Sequence, residues 1–199
     1  MRSIALACVL LLGIATAAMA QATSGESHSG DAALTYHWVH TNAPPGGGCG
    51  CFALNGVGLS GSWNLRSRLA VLAELSVDHT GSALSAKQSL TLASYLAGAR
   101  YRLPDPWMSG PHALQPFAQV LVGGAHAGGG IAGVADGTSA FAGRLGGGID
   151  LPVSYAIAVR IQGDYFLTNF ANSADNHQNN ILIGAGVVVH WSQIGRAHV

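Results

Sequence analysis

The chain has 199 residues, a formal net charge of zero and 9% charged residues, against roughly 25% in ordinary globular proteins; glycine alone numbers 28. So little charge makes a water-soluble surface hard to build, and the absence of any basic run or acidic tail excludes a nucleic-acid or polybasic membrane footprint. Past the N-terminus no apolar stretch reaches the roughly 20 residues of a spanning helix, which leaves the other structure whose backbone is satisfied in lipid, a closed β-barrel.

In chain order, residues 1–20 have the three parts of a secretory signal: Arg2, an apolar run from Ile4 to Ile14, and the small-x-small site Ala18-Met19-Ala20. Cys8 lies ahead of that site, so it does not become a lipidated N-terminus. Cleavage is expected before Gln21, and the mature chain is expected to leave the cytoplasm. A polar lead follows over residues 21–31, and the barrel domain is predicted over residues 32–192.

Within that domain eight segments alternate in polarity between clusters of Gly, Pro, Asn, Asp and Ser. Because strand side chains alternate with period 2, each segment has two faces. The third segment (68–79) sets Leu69, Val71, Ala73, Leu75 and Val77 against Glu74, Ser76 and Asp78. The fourth (90–103) sets Tyr95, Ala97, Ala99 and Tyr101 against Ser94, Arg100 and Arg102. The seventh (155–167) sets Tyr155, Ile157, Val159, Ile161 and Tyr165 against Arg160, Gln162 and Asp164, and the eighth (181–191) sets Ile183, Val187, Val189 and Trp191 against Gly184, Gly186 and His190. Softer segments cover 32–40, 52–64, 113–126 and 139–150; their glycines mark places where a narrow lumen or a neighbouring backbone leaves no room for a side chain. In the fifth, Gln115 and Gln119 share a face with Phe117 and Leu121, which leaves its inward side ambiguous.

Connections are predicted to run long (41–51), short (65–67), long (80–89), medium (104–112), long (127–138), short (151–154) and long (168–179). Such alternation belongs to an outer-membrane barrel with both termini in the periplasm and longer loops outside. Aromatics near segment ends, among them Trp38, Phe52, Trp63, Tyr101, Phe141, Tyr165 and Trp191, fit the girdles at the two membrane interfaces.

With these features the chain resembles the small outer-membrane barrels of the OmpA-like and opacity-protein type. The resemblance rests on Leu34-Thr35-Tyr36-His37-Trp38, on Arg68-Leu69-Ala70-Val71-Leu72-Ala73-Glu74, on the run from Pro116 to Ala125 and on Gly184-Ala185-Gly186-Val187-Val188-Val189. It implies an eight-stranded antiparallel up-and-down transmembrane barrel in the bacterial outer membrane, ending on an aromatic residue that the insertion machinery reads, here Trp191. The family includes adhesins, anchors and proteins without an assigned activity. The run Ile194-Gly195-Arg196-Ala197-His198-Val199 is what a common sequencing adapter encodes, so residues 194–199 are expected to be non-native.

The predicted inward faces carry four cations, Arg100, Arg102, Arg144 and Arg160, and four anions, Glu74, Asp78, Asp150 and Asp164. An eight-stranded interior is just wide enough for side chains to fill, so these are expected to pair into a plug; a narrow ion or solute path is the alternative. Glu74 and Asp78 are about 13 Å apart at strand rise, too far to act on one bond. His40, His79, His126 and His177 fall at outer strand ends or in the last loop, and with Cys49-Gly50-Cys51 they suggest either a metal-binding rim or solvated histidines beside a local disulfide. His190-Trp191-Ser192 is a weak nucleophile–base candidate for a lipid-modifying enzyme, and Gly46-Gly47-Gly48 and Gly128-Gly129-Gly130 do not join a strand to a helix as a phosphate cradle requires. The sequence therefore predicts a monomeric, non-enzymatic outer-membrane barrel without cofactor or nucleic-acid partner, its partners being membrane lipid, the insertion machinery and an external ligand met through the long loops.

Overall fold

The computed structural model describes residues 29–42, 51–83, 88–104, 114–129, 137–171 and 177–192. The signal segment, Cys49 and the tail at 194–199 lie outside them. Eight strands follow one another: β1 (Ser29–Asn42), β2 (Cys51–Asn64), β3 (Leu69–Ala83), β4 (Gln88–Arg102), β5 (Gln115–Gly129), β6 (Thr138–Pro152), β7 (Ile157–Thr168) and β8 (Gln178–Ser192). Each pairs antiparallel with its neighbours, and β1 closes on β8.

Following paired residues once around gives Asp31, Ser62, Leu72, Gly98, Leu121, Arg144, Phe166, Asn180 and then Thr41. The circuit ends 41 − 31 = 10 residues further along β1. In an eight-stranded barrel that stagger tilts the strands roughly 40° from the axis. Described residues on the circuit face inward, so the period-2 rule sends their neighbours to the outside.

The outer face is apolar. Leu34, Val57, Leu59, Val122, Leu145 and Ile161 are each more than half exposed. A soluble monomer rarely shows a continuous apolar surface of this extent; in a bilayer that surface is the side facing lipid. Aromatic side chains flank it, Trp63 and Tyr101 toward the end where β1 begins and β8 ends, the periplasmic end in the orientation expected from the sequence, and Trp38, Tyr95 and Tyr165 toward the opposite, outer end.

Two short turns, 65–68 and 153–156, share one construction. The amides of Leu65 and Val153 donate to the carbonyls of Leu69 and Ile157 at 2.8 and 2.9 Å. The second turn corrects the expected start of the seventh strand. Tyr155 belongs to the turn and is fully exposed rather than on a strand face.

The strands differ from expectation chiefly at their outer ends. β3 continues through Ala83 and β4 begins at Gln88, so the second outer connection shrinks to residues 84–87. The other outer connections are 43–50, 130–137 and 169–177, whereas the periplasmic connection at 103–114 is longer than any of them. Expected alternation of short inner and long outer connections therefore fails at the middle of the chain. Ladder hydrogen bonds need only backbone, so pairing continues past the apolar band through Thr80 with Leu90 and, after a register irregularity, Ala83 with Gln88. At the other end β1 begins at Ser29, so Asp31 belongs to the barrel and not to the polar lead.

Leu145→Arg, in the middle of the lipid face of β6, is expected to lower the unfolding free energy by about 2–4 kcal/mol. Denaturant unfolding of the protein in lipid vesicles measures this, and Tyr155→Arg in the exposed turn should leave the midpoint unchanged.

Candidate functional site

The lumen holds the charge that the outer face lacks. Glu74, Asp78, Arg100, Arg144, Asp150, Arg160 and Asp164 are buried inside the barrel. Arg102 also points inward, 20% exposed at the periplasmic mouth. The structure adds two ionisable residues that the sequence did not single out, Asp31 and His37, both fully buried on β1. Their signal was present in the alternation Asp31-x-Ala33-x-Thr35-x-His37, which reads as a strand with a polar interior. The ambiguity in β5 is also resolved, with Phe117, Gln119 and Leu121 facing the lumen.

Asp31 is the centre of the periplasmic layer. It accepts from Ser62 Oγ at 2.6 Å on β2, and from Arg102 Nη2 at 2.9 Å and Arg100 Nη1 at 3.3 Å on β4. Arg160 Nη2 on β7 lies 3.6 Å away. Arg160 is held in turn by Asp150 on β6, which accepts from its Nε at 2.7 Å and its Nη2 at 2.8 Å, the bidentate geometry that fits a guanidinium to a carboxylate. The guanidinium carbons of Arg100 and Arg160 both lie over the Phe117 ring, at 4.6 and 4.9 Å from its centroid. The π-face offsets part of the cost of crowding two cations.

Above this layer Arg144 on β6 pairs with Glu74 on β3 across the lumen, its guanidinium carbon 4.9 Å from the Phe166 ring centroid. Gln119 links the levels: its Oε1 accepts from Arg100 Nη2 at 3.0 Å, and its Nε2 donates to Asp164 Oδ1 at 3.1 Å. His37 lies between the two β3 carboxylates, Nε2 3.9 Å from Glu74 and Nδ1 3.5 Å from Asp78. Neither approach is a hydrogen bond, and His37 Nδ1 and Asp78 Oδ1 are buried without a hydrogen-bond partner. Glycines make the room. A Cβ on Gly58 would stand 2.7 Å from His37 Nε2, and one on Gly184 would stand 3.1 Å from Gln162 Cγ and 3.3 Å from His37 Cδ2.

Toward the outer end the lumen becomes apolar. Val39, Leu54, Leu92, Leu121, Phe166 and Leu182 are buried in one cluster, joined by Phe52 and Phe170. The interior is therefore filled throughout: an ionic network toward the end where β1 begins, this apolar cluster beyond it with Asp78 paired beside Leu92, and buried Thr41, Thr80, Thr168, Gln178 and Asn180 at the outer strand ends.

Thr35 Oγ1 lies 2.8 Å from His37 Nε2, and the Asp78 carboxylate lies 3.5 Å from His37 Nδ1 without a hydrogen bond to it. The residue types are those of an activated nucleophile, but all three are buried in the filled lumen. The weaker candidate named from the sequence, His190 with Ser192, lies at the periplasmic end; His190 is paired with Asp31 in the β1–β8 ladder, and the side chain of Ser192 lies outside the described residues.

The rim histidines do not converge. His40, His79 and His126 occupy outward positions on β1, β3 and β5, and His177 precedes β8. Among the described residues no group of three or more His, Cys, Asp or Glu could hold a metal ion. Parity is the reason: inward positions would have brought them together, and outward ones keep the barrel between them. Cys51 opens β2 on the exposed side, while its expected partner Cys49 is outside the described residues.

The sequence matches the outer membrane protein beta-barrel domain over residues 6–188. The chain belongs to that family. Its closed eight-stranded architecture and its family place it in the bacterial outer membrane. Among solved structures it is similar to Neisserial surface protein A, at 14% identity and a TM-score of 0.60 over 83% of this chain and 99% of that one. It is also similar to Ail, the attachment invasion locus protein of Yersinia pestis, at 12% identity and a TM-score of 0.54 over 84% and 100%. At these identities the likeness is one of fold. No curated protein matches the sequence.

In this barrel Glu74→Leu and Arg144→Met should each cost about 3–5 kcal/mol, because each strands a buried charge. The double variant should cost much less than the sum. A double-mutant cycle from denaturant unfolding in vesicles checks this; additive losses would mean that the two side chains are not coupled.

Proposed function

We propose that the protein is a closed, non-conducting and non-enzymatic scaffold of the outer membrane, which acts through the surface it presents outside the cell. The observation that carries this reading is the continuous filling of the lumen by an ionic network, an apolar cluster and, at the outer strand ends, buried hydroxyl and amide side chains. An ion crossing that packed cluster would have to shed most of its hydration. The same filling speaks against catalysis at Thr35, whose hydroxyl has no approach for a substrate. An attachment role, the one in the name of Ail, fits this architecture, with the outer connections as the contact surface.

In this reading cleavage after Ala20 releases a monomeric barrel, which is inserted by machinery that recognises the aromatic at Trp191. A narrow pore is the runner-up, favoured by one observation. Nε and Nη2 of Arg144 and Nη1 of Arg160 are buried without a protein partner, and water is the usual occupant beside such donors. In the closed reading that water is enclosed beneath the apolar cluster.

Single-channel recording of the folded protein in a planar bilayer decides between the two, with heat-modifiable gel migration as the folding control. The expected result is no discrete conductance from protein that migrates as folded. Reproducible steps whose size changes in Arg144→Met or Arg160→Met would overturn the closed reading.

A further inference from the structure

The outer end of the barrel carries a set of side chains that the lumen does not use. His40, His79 and His126 take outward positions on three strands, and His177 stands just before a fourth. When each is carried through the pairing register, with the ten-residue stagger shared over eight strands, the four fall within about three residues of one another along the axis. Just below them on the same outer surface are the exposed aromatics Trp38, Tyr95 and Tyr165, with Phe141 at their own level. The histidines therefore form a level ring immediately above the apolar band, where lipid headgroups lie.

Their local bonds orient them. His79 Nδ1 is 2.9 Å from Thr91 Oγ1 across the β3–β4 pair, and His126 Nδ1 is 2.9 Å from Ser139 Oγ across the β5–β6 pair. Occupation of Nδ1 leaves Nε2 as the nitrogen offered to a ligand. His40 stacks on Trp38 with ring centroids 5.7 Å apart, and His177 Nδ1 is 2.6 Å from Asn169 Oδ1. The positions facing them across the ladders are neutral: Ala53 and Ile181 beside His40, Asn55 and Thr91 beside His79, Ala93 and Ser139 beside His126.

The permanent cations are elsewhere. Arg66 and Arg68 lie in a periplasmic turn, and Arg100, Arg102, Arg144 and Arg160 lie in the lumen. In sequence the four connections at this end carry one lysine, Lys87, and two aspartates, Asp136 and Asp175. A rim whose cationic capacity is imidazole attracts anions to the extent that it is protonated, and a protonated imidazole donates from both nitrogens.

We propose that this histidine ring is a lipid-contact surface that engages the phosphate groups of outer-leaflet glycolipid headgroups, and that it does so in a proton-dependent manner. The claim goes beyond the closed-scaffold reading and does not depend on whether the lumen conducts.

The test is thermal unfolding, followed by heat-modifiable gel migration, of the full chain folded into phosphatidylcholine bilayers with and without lipid A. It is run at about pH 5.5 and about pH 8, on either side of the imidazole range. Lipid A is expected to raise the midpoint by several degrees more at the acidic pH. That acid-dependent increment should disappear when His40, His79, His126 and His177 are all replaced by Gln. If the fourfold variant does not fold, His79→Gln with His126→Gln should reduce the increment by about half, as expected for two of four equivalent contacts. Dephosphorylated lipid A and free inorganic phosphate should give no such increment. An equal lipid A effect at both pH values, its persistence in the variants, or an equal effect from free phosphate would overturn the proposal.

Discussion

A bilayer interior offers no water to an unpaired N–H or C=O group, so a strand-forming chain must close on itself there. Here closure joins β1 to β8 with a ten-residue stagger, and the rest follows from it. The stagger sets the tilt and hence the narrow interior. Once the barrel is closed, strand parity assigns every side chain to lipid or to lumen, and the two sides demand opposite chemistry. The low charge of the whole chain is explained by this division, because nearly all the charge that the barrel strands carry is turned inward.

The lumen meets a harder requirement than the surface. Charges enclosed among tightly packed side chains are tolerable only when paired and hydrogen-bonded. Asp31 meets that need for three arginines from β4 and β7, and Glu74 for Arg144. Such pairs contribute little net stability compared with an apolar core, but each is costly to break. Their effect is to join β1, β3, β4, β6 and β7 across the interior, which opposes slippage of the register. The glycines facing the lumen belong to the same solution. Long side chains such as His37 and Gln162 fit only where an opposing residue has no Cβ.

The two ends of the barrel are not equivalent. Where β1 begins the interior is ionic and Arg102 reaches solvent; toward the other end Val39, Leu54, Leu121 and Leu182 pack together, with buried hydroxyl and amide side chains beyond them. On the outer surface the order is reversed, with apolar side chains through the band and histidines, hydroxyls and amides above it. Surface chemistry at the outer end is thus independent of the lumen, and the two can be altered separately.

The class of fold, the number of strands, the lipid-facing residues and the eight inward charges were legible in the sequence, because period-2 alternation is a local signal that repeats. Gly, Pro and Asn clusters marked the connections for the same reason. Strand ends were less legible: backbone pairing continues through polar residues such as Thr80 and Gln88, and composition at the border of the membrane says nothing about where a ladder stops. Asp31 was assigned to the lead because a polar residue at a segment edge looks like linker until its partners on β4 and β7 are known. The four rim histidines were visible as a set, but whether they converged inside or spread around the outside depended on the inward parity of each strand. Alternation determines which residues share a face; only closure of the sheet, through its stagger and cross-lumen pairs, decides which residues from different strands meet.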